Sequence, residues 1–134
     1  MTIILDTNVL ISSIMYGGRV SRVHNFCFAN GRVFISKFIL GELEEKLLLK
    51  FNIENSKVGY ILSEIASTCI VAVPKGLVPE ICRDVDDNNI LHLEKTIHAD
   101  FIITGDKDLL DLKFFKKTEI ISPADFAKRY IEEQ

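Results

Sequence analysis

Four acidic residues stand where short apolar runs or helix starts would aim them at one edge of a sheet. Asp6 ends the run Ile3-Ile4-Leu5, and Asn8 follows two residues on. Asp106 comes after Phe101-Ile102-Ile103-Thr104-Gly105, with Asp108 just beyond. Asp87 opens a helical segment inside the stretch Asp84-Val85-Asp86-Asp87-Asn88, and Glu42 lies in the segment that follows Ser36. With Phe38 at zero on a wheel of about 100° per residue, Ile39 falls at about 100° and Glu42 at about 40°. Glu42 therefore sits beside apolar neighbours and not opposite them. Two carboxylates about 4 Å apart repel by roughly 4 kcal/mol at an effective dielectric of 20. Three or four converging acids need a cation to stay ionised, and all-oxygen ligation suits Mg²⁺ or Mn²⁺. Such an ion orients and acidifies an attacking water and stabilises a leaving oxygen in phosphodiester cleavage.

Singly, each acid has a plainer reading. Asp6 could be a helix cap, Glu42 could pair with Lys46 one turn on, Asp87 could complement a helix dipole, and Asp106 could serve a turn. Turn and cap chemistry does not, however, predict several acids from separate elements at one sheet edge.

The elements that must position them alternate along the chain. Short strands are expected at 2–5, 32–35, 69–73, 101–104 and 119–121. Helices are expected at 7–16, 20–30, 37–50, 55–68, 87–98, 108–112 and from Pro123 to about 131, with 74–86 as a loop. Gly17-Gly18 and Gly31 act as helix stops, Ser36 as a cap, Asn55 or Ser56 as another, and Pro123 as a helix start. Alternating strands and helices imply a mainly parallel sheet covered on both faces. The continuous apolar runs at 3–5, 70–73 and 101–103 read as strands buried on both sides. In such sheets, sites form beyond the carboxyl ends of the strands.

Composition limits the possibilities further. The 134 residues are one domain's worth of chain, with a net charge of −3 from 16 Lys+Arg against 19 Asp+Glu. That balance argues against a general basic coat for nucleic acid. The longest unbroken apolar run, Cys69 to Val73, is far short of the ~20 residues of a membrane span. The opening residues do not read as a signal peptide. Cys27, Cys69 and Cys82 are odd in number and widely spaced, which points to free thiols and a cytoplasmic setting. His24, His92 and His98 form no useful ligand pair and read as solvated or packed. Arg19, Arg22, Lys37, Lys46 and Lys107 neighbour the acids in sequence, and each by itself reads as a solvated charge. Phe26, Phe28, Phe38, Phe51, Phe114 and Phe115 read as core.

These residues resemble a known family. Ile3-Ile4-Leu5-Asp6-Thr7-Asn8-Val9-Leu10 is similar to the opening of a PIN domain, and Ser36-Lys37-Phe38-Ile39-Leu40-Gly41-Glu42-Leu43 to its second acidic motif. Arg83-Asp84-Val85-Asp86-Asp87-Asn88 resembles the third, and the stretch from Ala99 to Leu110 the fourth. The order is that of the VapC-like subgroup of toxin components, over nearly the whole chain. The resemblance implies one PIN domain over 1–134, an α/β/α sandwich with a parallel sheet of order 3-2-1-4-5, and a Mg²⁺- or Mn²⁺-dependent ribonuclease. It implies Asp6, Glu42, Asp87 and Asp106 as the catalytic, metal-holding quartet, Asp108 as a further metal ligand, and Asn8 and Thr104 as supporting polar residues. Val85 stands where a proline is common, and Asp84 and Asp86 crowd the third motif, so its register stays open among Asp84, Asp86 and Asp87. RNA would be the substrate, cut to 5′-phosphate and 3′-hydroxyl ends. A small antitoxin protein and a second copy of the chain are the implied partners. The alternatives are a non-catalytic PIN module that binds RNA or protein, and a haloacid-dehalogenase-like phosphohydrolase. The latter needs a second acid where this chain has Asn8.

Overall fold

The apolar runs at 3–5 and 101–103 become neighbouring strands at the middle of one sheet. A computed structural model describes residues 1–132; the end of the domain expected over 1–134 lies outside the described residues. The elements in chain order are β1 (Thr2–Leu5), α1 (Thr7–Met15), α2 (Gly18–Asn30), β2 (Arg32–Ile35), α3 (Lys37–Glu45), α4 (Asn55–Thr68) and β3 (Ile70–Val71). Then follow α5 (Val85–Ile97), β4 (Phe101–Ile103), α6 (Lys107–Leu112), β5 (Phe114–Phe115), β6 (Thr118–Ile121) and α7 (Pro123–Ala127). α3 and α7 each continue into a π-helical turn, Lys46–Lys50 and Lys128–Glu132.

The sheet runs β3-β2-β1-β4-β6-β5. Its first five strands are parallel, and β6 takes the place of the expected fifth strand. The order 3-2-1-4-5 is thus present, with one addition. β5 pairs antiparallel with β6 and extends the edge, a hairpin that the pair Phe114-Phe115 was too short to announce. Helices cover both faces, and Ile3, Ile4, Leu5, Ile102 and Ile103 are fully buried between them. That is why these strands are apolar at every position. Beside them Phe126 packs edge-on against Phe26 and Phe101, with Tyr130 at 4.8 Å completing the cluster.

Three expectations need correction. The strand at 69–73 is only Ile70–Val71, and these residues are 42% and 40% exposed. β3 is an edge strand paired with β2 alone, so its apolar run does not mean burial on both sides. Phe38 and Phe114 are exposed and not core: Phe38 lies in the first turn of α3, and Phe114 starts the edge strand β5. Glu54, not Asn55 or Ser56, occupies the cap of α4, with Ser56 Oγ donating to its carboxylate at 2.8 Å. Ser36 caps α3 as expected, accepting from Ile39 N at 3.2 Å, and Ser122 caps α7 from Asp125 N at 3.1 Å. Gly17 and Gly18 both take φ of 68°, a left-handed geometry open to glycine, which lets α1 turn directly into α2.

Candidate active site

Register builds the site. Leu5 is level with Ile103, and Ile103 with Ile121. The next residues, Asp6 and Thr104, therefore emerge side by side at the carboxyl edge. Asp6 N donates to Ile103 O at 3.0 Å. Thr104 Oγ1 donates to Asp6 Oδ2 at 2.6 Å and accepts from Asp106 N at 3.0 Å. One hydroxyl thus holds the carboxylate of one expected acid and the backbone of another. Asp6 occupies the cap position of α1, but its side chain makes no capping bond. The plainer reading of Asp6 as a cap does not hold. Burial pushes its carboxyl up, and the Thr104 hydroxyl pulls it back in part. Thr104→Val should cost roughly 1–3 kcal/mol in chemical denaturation, because it strips a buried acid of its donor. Thr104→Ser, which keeps the hydroxyl, should stay near wild type, and equal stability of the two variants would show that the bond carries nothing.

Glu42 arrives from the other side. The hydroxyl of Thr7, the residue after Asp6, donates to Glu42 Oε1. The surface pair between Glu42 and Lys46 is replaced by another contact: Lys46 Nζ donates to Asn8 Oδ1 at 3.0 Å. Lys46 opens the π-helical turn, where Phe51 N bonds back to Lys46 O at 3.2 Å. Burial, then the neighbouring Asp86 carboxyl, pushes Glu42 up to about 7, against the pull of Thr7 and Lys46.

The third acidic motif divides its labour. Asp84 caps α5, its Oδ1 accepting from Asp86 N at 2.9 Å. Asp86 faces Glu42 across the groove. Asp87 is 5% exposed, and its Oδ2 is buried and receives no hydrogen bond among the described residues. A first-turn acid serving only the helix dipole would be solvated. Carboxylate oxygens of Asp87, Asp106 and Asp108 lie within 4.8 Å of one another. Burial, then contact with Asp106, then the fields of Asp84 and Asp6, push Asp87 up to about 7. Asp106 also caps α6, accepting from Leu109 N at 3.1 Å, so its turn role and its place in the cluster coexist. An orphaned carboxylate oxygen amid hard oxygen donors is a fitting seat for Mg²⁺ or Mn²⁺.

Several neighbours were not legible as site residues. Thr7 is one of them, holding Glu42. Arg83 donates to both oxygens of Asp108 at 2.9 and 3.1 Å, a clamp from the loop before α5. Asn88 pins that same loop: its Oδ1 accepts from Ile81 N and Cys82 N at 3.2 and 2.8 Å, and its Nδ2 donates to Cys82 O at 2.9 Å. The only signal for any of them was proximity to an acid in sequence. Of the basic candidates, Lys37 and Lys46 border the acidic groove, a hollow of about 460 Å³ that Glu42 and Asp86 also line. Arg19 and Arg22 instead reach Glu132 at 2.7 and 3.6 Å. Of the histidines, the His24 ring packs on Phe28, and His92 holds loop carbonyls.

The acids thus form two linked groups. Asp6, Thr104, Asp106, Asp87 and Asp108 make one, and Thr7, Glu42 and Asp86 the other, joined through the consecutive residues Asp6 and Thr7. No curated protein matches the chain. Among solved structures, the crystal structure of VapBC2 from Rickettsia felis bound to a DNA fragment from their promoter is similar in fold, with a TM-score of 0.66 at 12% identity. That likeness covers 91% of this chain and 98% of the other. A family model described as PIN domain matches residues 2–108, the span that carries every acid of these two groups, and the chain belongs to that family.

Proposed function

We propose that this chain is a metal-dependent ribonuclease that hydrolyses RNA phosphodiester bonds, and that it serves as the toxin of a toxin–antitoxin module. One observation carries the reading: Asp87, buried with an unsatisfied oxygen, converges with Asp106 and Asp108 beside Asp6. Asp6, Glu42, Asp87, Asp106 and Asp108 would hold Mg²⁺ or Mn²⁺. When bound, the ion would supply Lewis acidity for an attacking water and for the departing oxygen. The chain's own residues do the positioning. Thr104 holds the Asp6 carboxylate and the Asp106 backbone, Thr7 holds Glu42, Asn8 anchors Lys46, and Arg83 holds Asp108. The products are 5′-phosphate and 3′-hydroxyl ends.

Resemblance to VapC-like chains and the fold shared with VapBC2 support an antitoxin partner that covers the acidic groove, and a homodimer. No helix among the described residues is long and apolar enough to cross a membrane, and the free cysteines favour the cytoplasm. The test is cleavage of a broad RNA panel by the purified chain with Mg²⁺, Mn²⁺ or EDTA. Cleavage with either ion and none in EDTA is expected. Equal cleavage in EDTA, or none with either metal, would sink the reading.

A further inference from the structure

A second hollow adjoins the acidic groove, and the chemistry above leaves it unused. It has a volume of about 190 Å³ and lies across Lys37 and Phe38 from the acids. Lys37 and Phe38 border both depressions. The far walls are Ala72 and Val73, beyond β3, and Asn89 and His92 on α5.

Local structure builds these walls. Ala72 N donates to Ile35 O at 2.9 Å, which holds the chain leaving β3 against β2. His92 Nε2 lies 3.2 and 3.1 Å from the carbonyl oxygens of Lys75 and Gly76, and Lys75 N donates to Thr96 Oγ1 at 2.9 Å. Ala72 is thereby tied to β2, and Lys75 and Gly76 to α5, so the hollow is preformed. Asn89 and His92 stand three apart, on one face of that helix. Asn89 Nδ2 donates one hydrogen to Val85 O at 2.9 Å, which leaves a second N–H and the amide oxygen for a ligand. Phe38 is 39% exposed, an aromatic ring presented to solvent at the border of an acidic groove. Lys37 makes no ion pair among the described residues.

We propose that this hollow is a nucleobase subsite, in which a single-stranded RNA base beside the cleaved phosphate stacks on Phe38 against Ala72 and Val73 and has its edge read by Asn89. The assignment rests on the ribonuclease reading. Several observations on the page select this occupant. The hollow is continuous with the acids through a shared aromatic wall. It is apolar with one donor–acceptor amide, the combination that suits a base, and Lys37 stands between the two depressions where a bridging phosphate would lie. Aromatic stacking is the usual grip on an unpaired base. An asparagine amide offering one donor and one acceptor matches the edge of adenine.

The experiment is fluorescence anisotropy with hexamers of A, C or U. The parent protein carries Asp87→Asn, so that the RNA stays intact. The expected result is tightest binding of the A hexamer. Phe38→Ala should weaken it roughly tenfold or more, and Phe38→Tyr should restore it. Asn89→Ala should reduce the preference for A over U by roughly tenfold while changing U binding little. Phe38 is exposed and Asn89 half-buried, and thermal melting of each variant identifies any that fails to fold. If the parent binds but neither Phe38→Ala nor Asn89→Ala changes affinity or base preference, the subsite falls and the ribonuclease reading stands. That is also the outcome if the hollow takes a side chain from a partner protein. If the parent binds no hexamer, the ribonuclease reading falls and the subsite falls with it.

Discussion

Asp87→Asn yields a folded protein with RNA cleavage reduced at least roughly a hundredfold, and with a higher melting temperature than wild type when metal is absent. The two effects share one cause. Asp87 is buried, its Oδ2 receives no hydrogen bond, and it lies against Asp106 and Asp108. A carboxylate in that position is held at a cost to stability, because burial and like charge both oppose its ionised form. The amide is nearly isosteric, removes the charge, and offers two hydrogens to the neighbouring carboxylates. It cannot serve as an anionic ligand to a hard cation. Losing one preorganised electrostatic group from such a site costs about 10²–10³-fold in rate. The paired measurement is cleavage with Mn²⁺ alongside a melt in EDTA. Near-wild-type cleavage would move the essential acid to Asp86 or Asp84, and Asp86→Asn in parallel would distinguish these. Lost activity with a lowered melting temperature would instead make Asp87 a structural acid.

The second large effect is on how stability depends on pH and on divalent ions. Asp87 and Glu42 are both pushed up to about 7 in the folded chain, from ordinary values of 3.8 and 4.5. A carboxyl whose pKa is raised on folding binds its proton more tightly in the folded state. Its stabilising contribution is fully present below the ordinary value and is lost as the pH rises through about 7. In EDTA the melting temperature should therefore fall steadily from about pH 4.5 to about pH 7.5. Millimolar Mg²⁺ or Mn²⁺ should offset the fall at the upper end, since a ligand that binds only the folded form stabilises it by mass action. Asp87→Asn should flatten the EDTA profile. Cys82 offers a second readout. Burial and the fields of Asp87, Asp106, Asp108 and Asp84 push its thiol up, so a bound cation should speed its alkylation. A profile in EDTA that rises between pH 4.5 and 7.5, or one indifferent to either metal and to Asp87→Asn, would contradict the electrostatic account of the cluster.

Much of this arrangement was legible from residue order. Continuous apolar runs identify β1 and β4 as strands covered on both faces, because a parallel sheet sandwiched by helices leaves neither side of its central strands in water. Asp6, directly after the first run, and Asp106, three residues past the second, are then placed at the carboxyl edge by the direction of the strand. The same logic failed at β3, where an apolar run of similar appearance lies on the edge and is exposed. Run composition does not reveal how many neighbours a strand will have. It also missed β5, which exists only because its partner β6 follows immediately.

Periodicity could place Glu42 near the apolar face of α3, but not name its partner. Local spacing favoured Lys46, one turn away. In the folded chain Thr7 takes Glu42, and Asn8 takes Lys46, both across more than thirty residues of sequence. The crowded third motif was likewise ambiguous as a string. Three acids within four positions of a helix start point in different directions around the axis, and only packing decides that Asp84 caps, Asp86 faces Glu42 and Asp87 turns in against Asp106.

The sequence by itself determined which residue types end the central strands, and hence that carboxylates gather at one edge of a parallel sheet. Side-chain chemistry and strand direction are local properties. Only the tertiary structure decided which hydroxyl orients which acid and which carboxylate is left buried and unsatisfied. It also decided that Phe38 faces solvent beside a preformed hollow. Each of those depends on register and packing between segments far apart in the chain. The Thr104–Asp6 bond spans 98 positions, and strand pairing brings its two ends level.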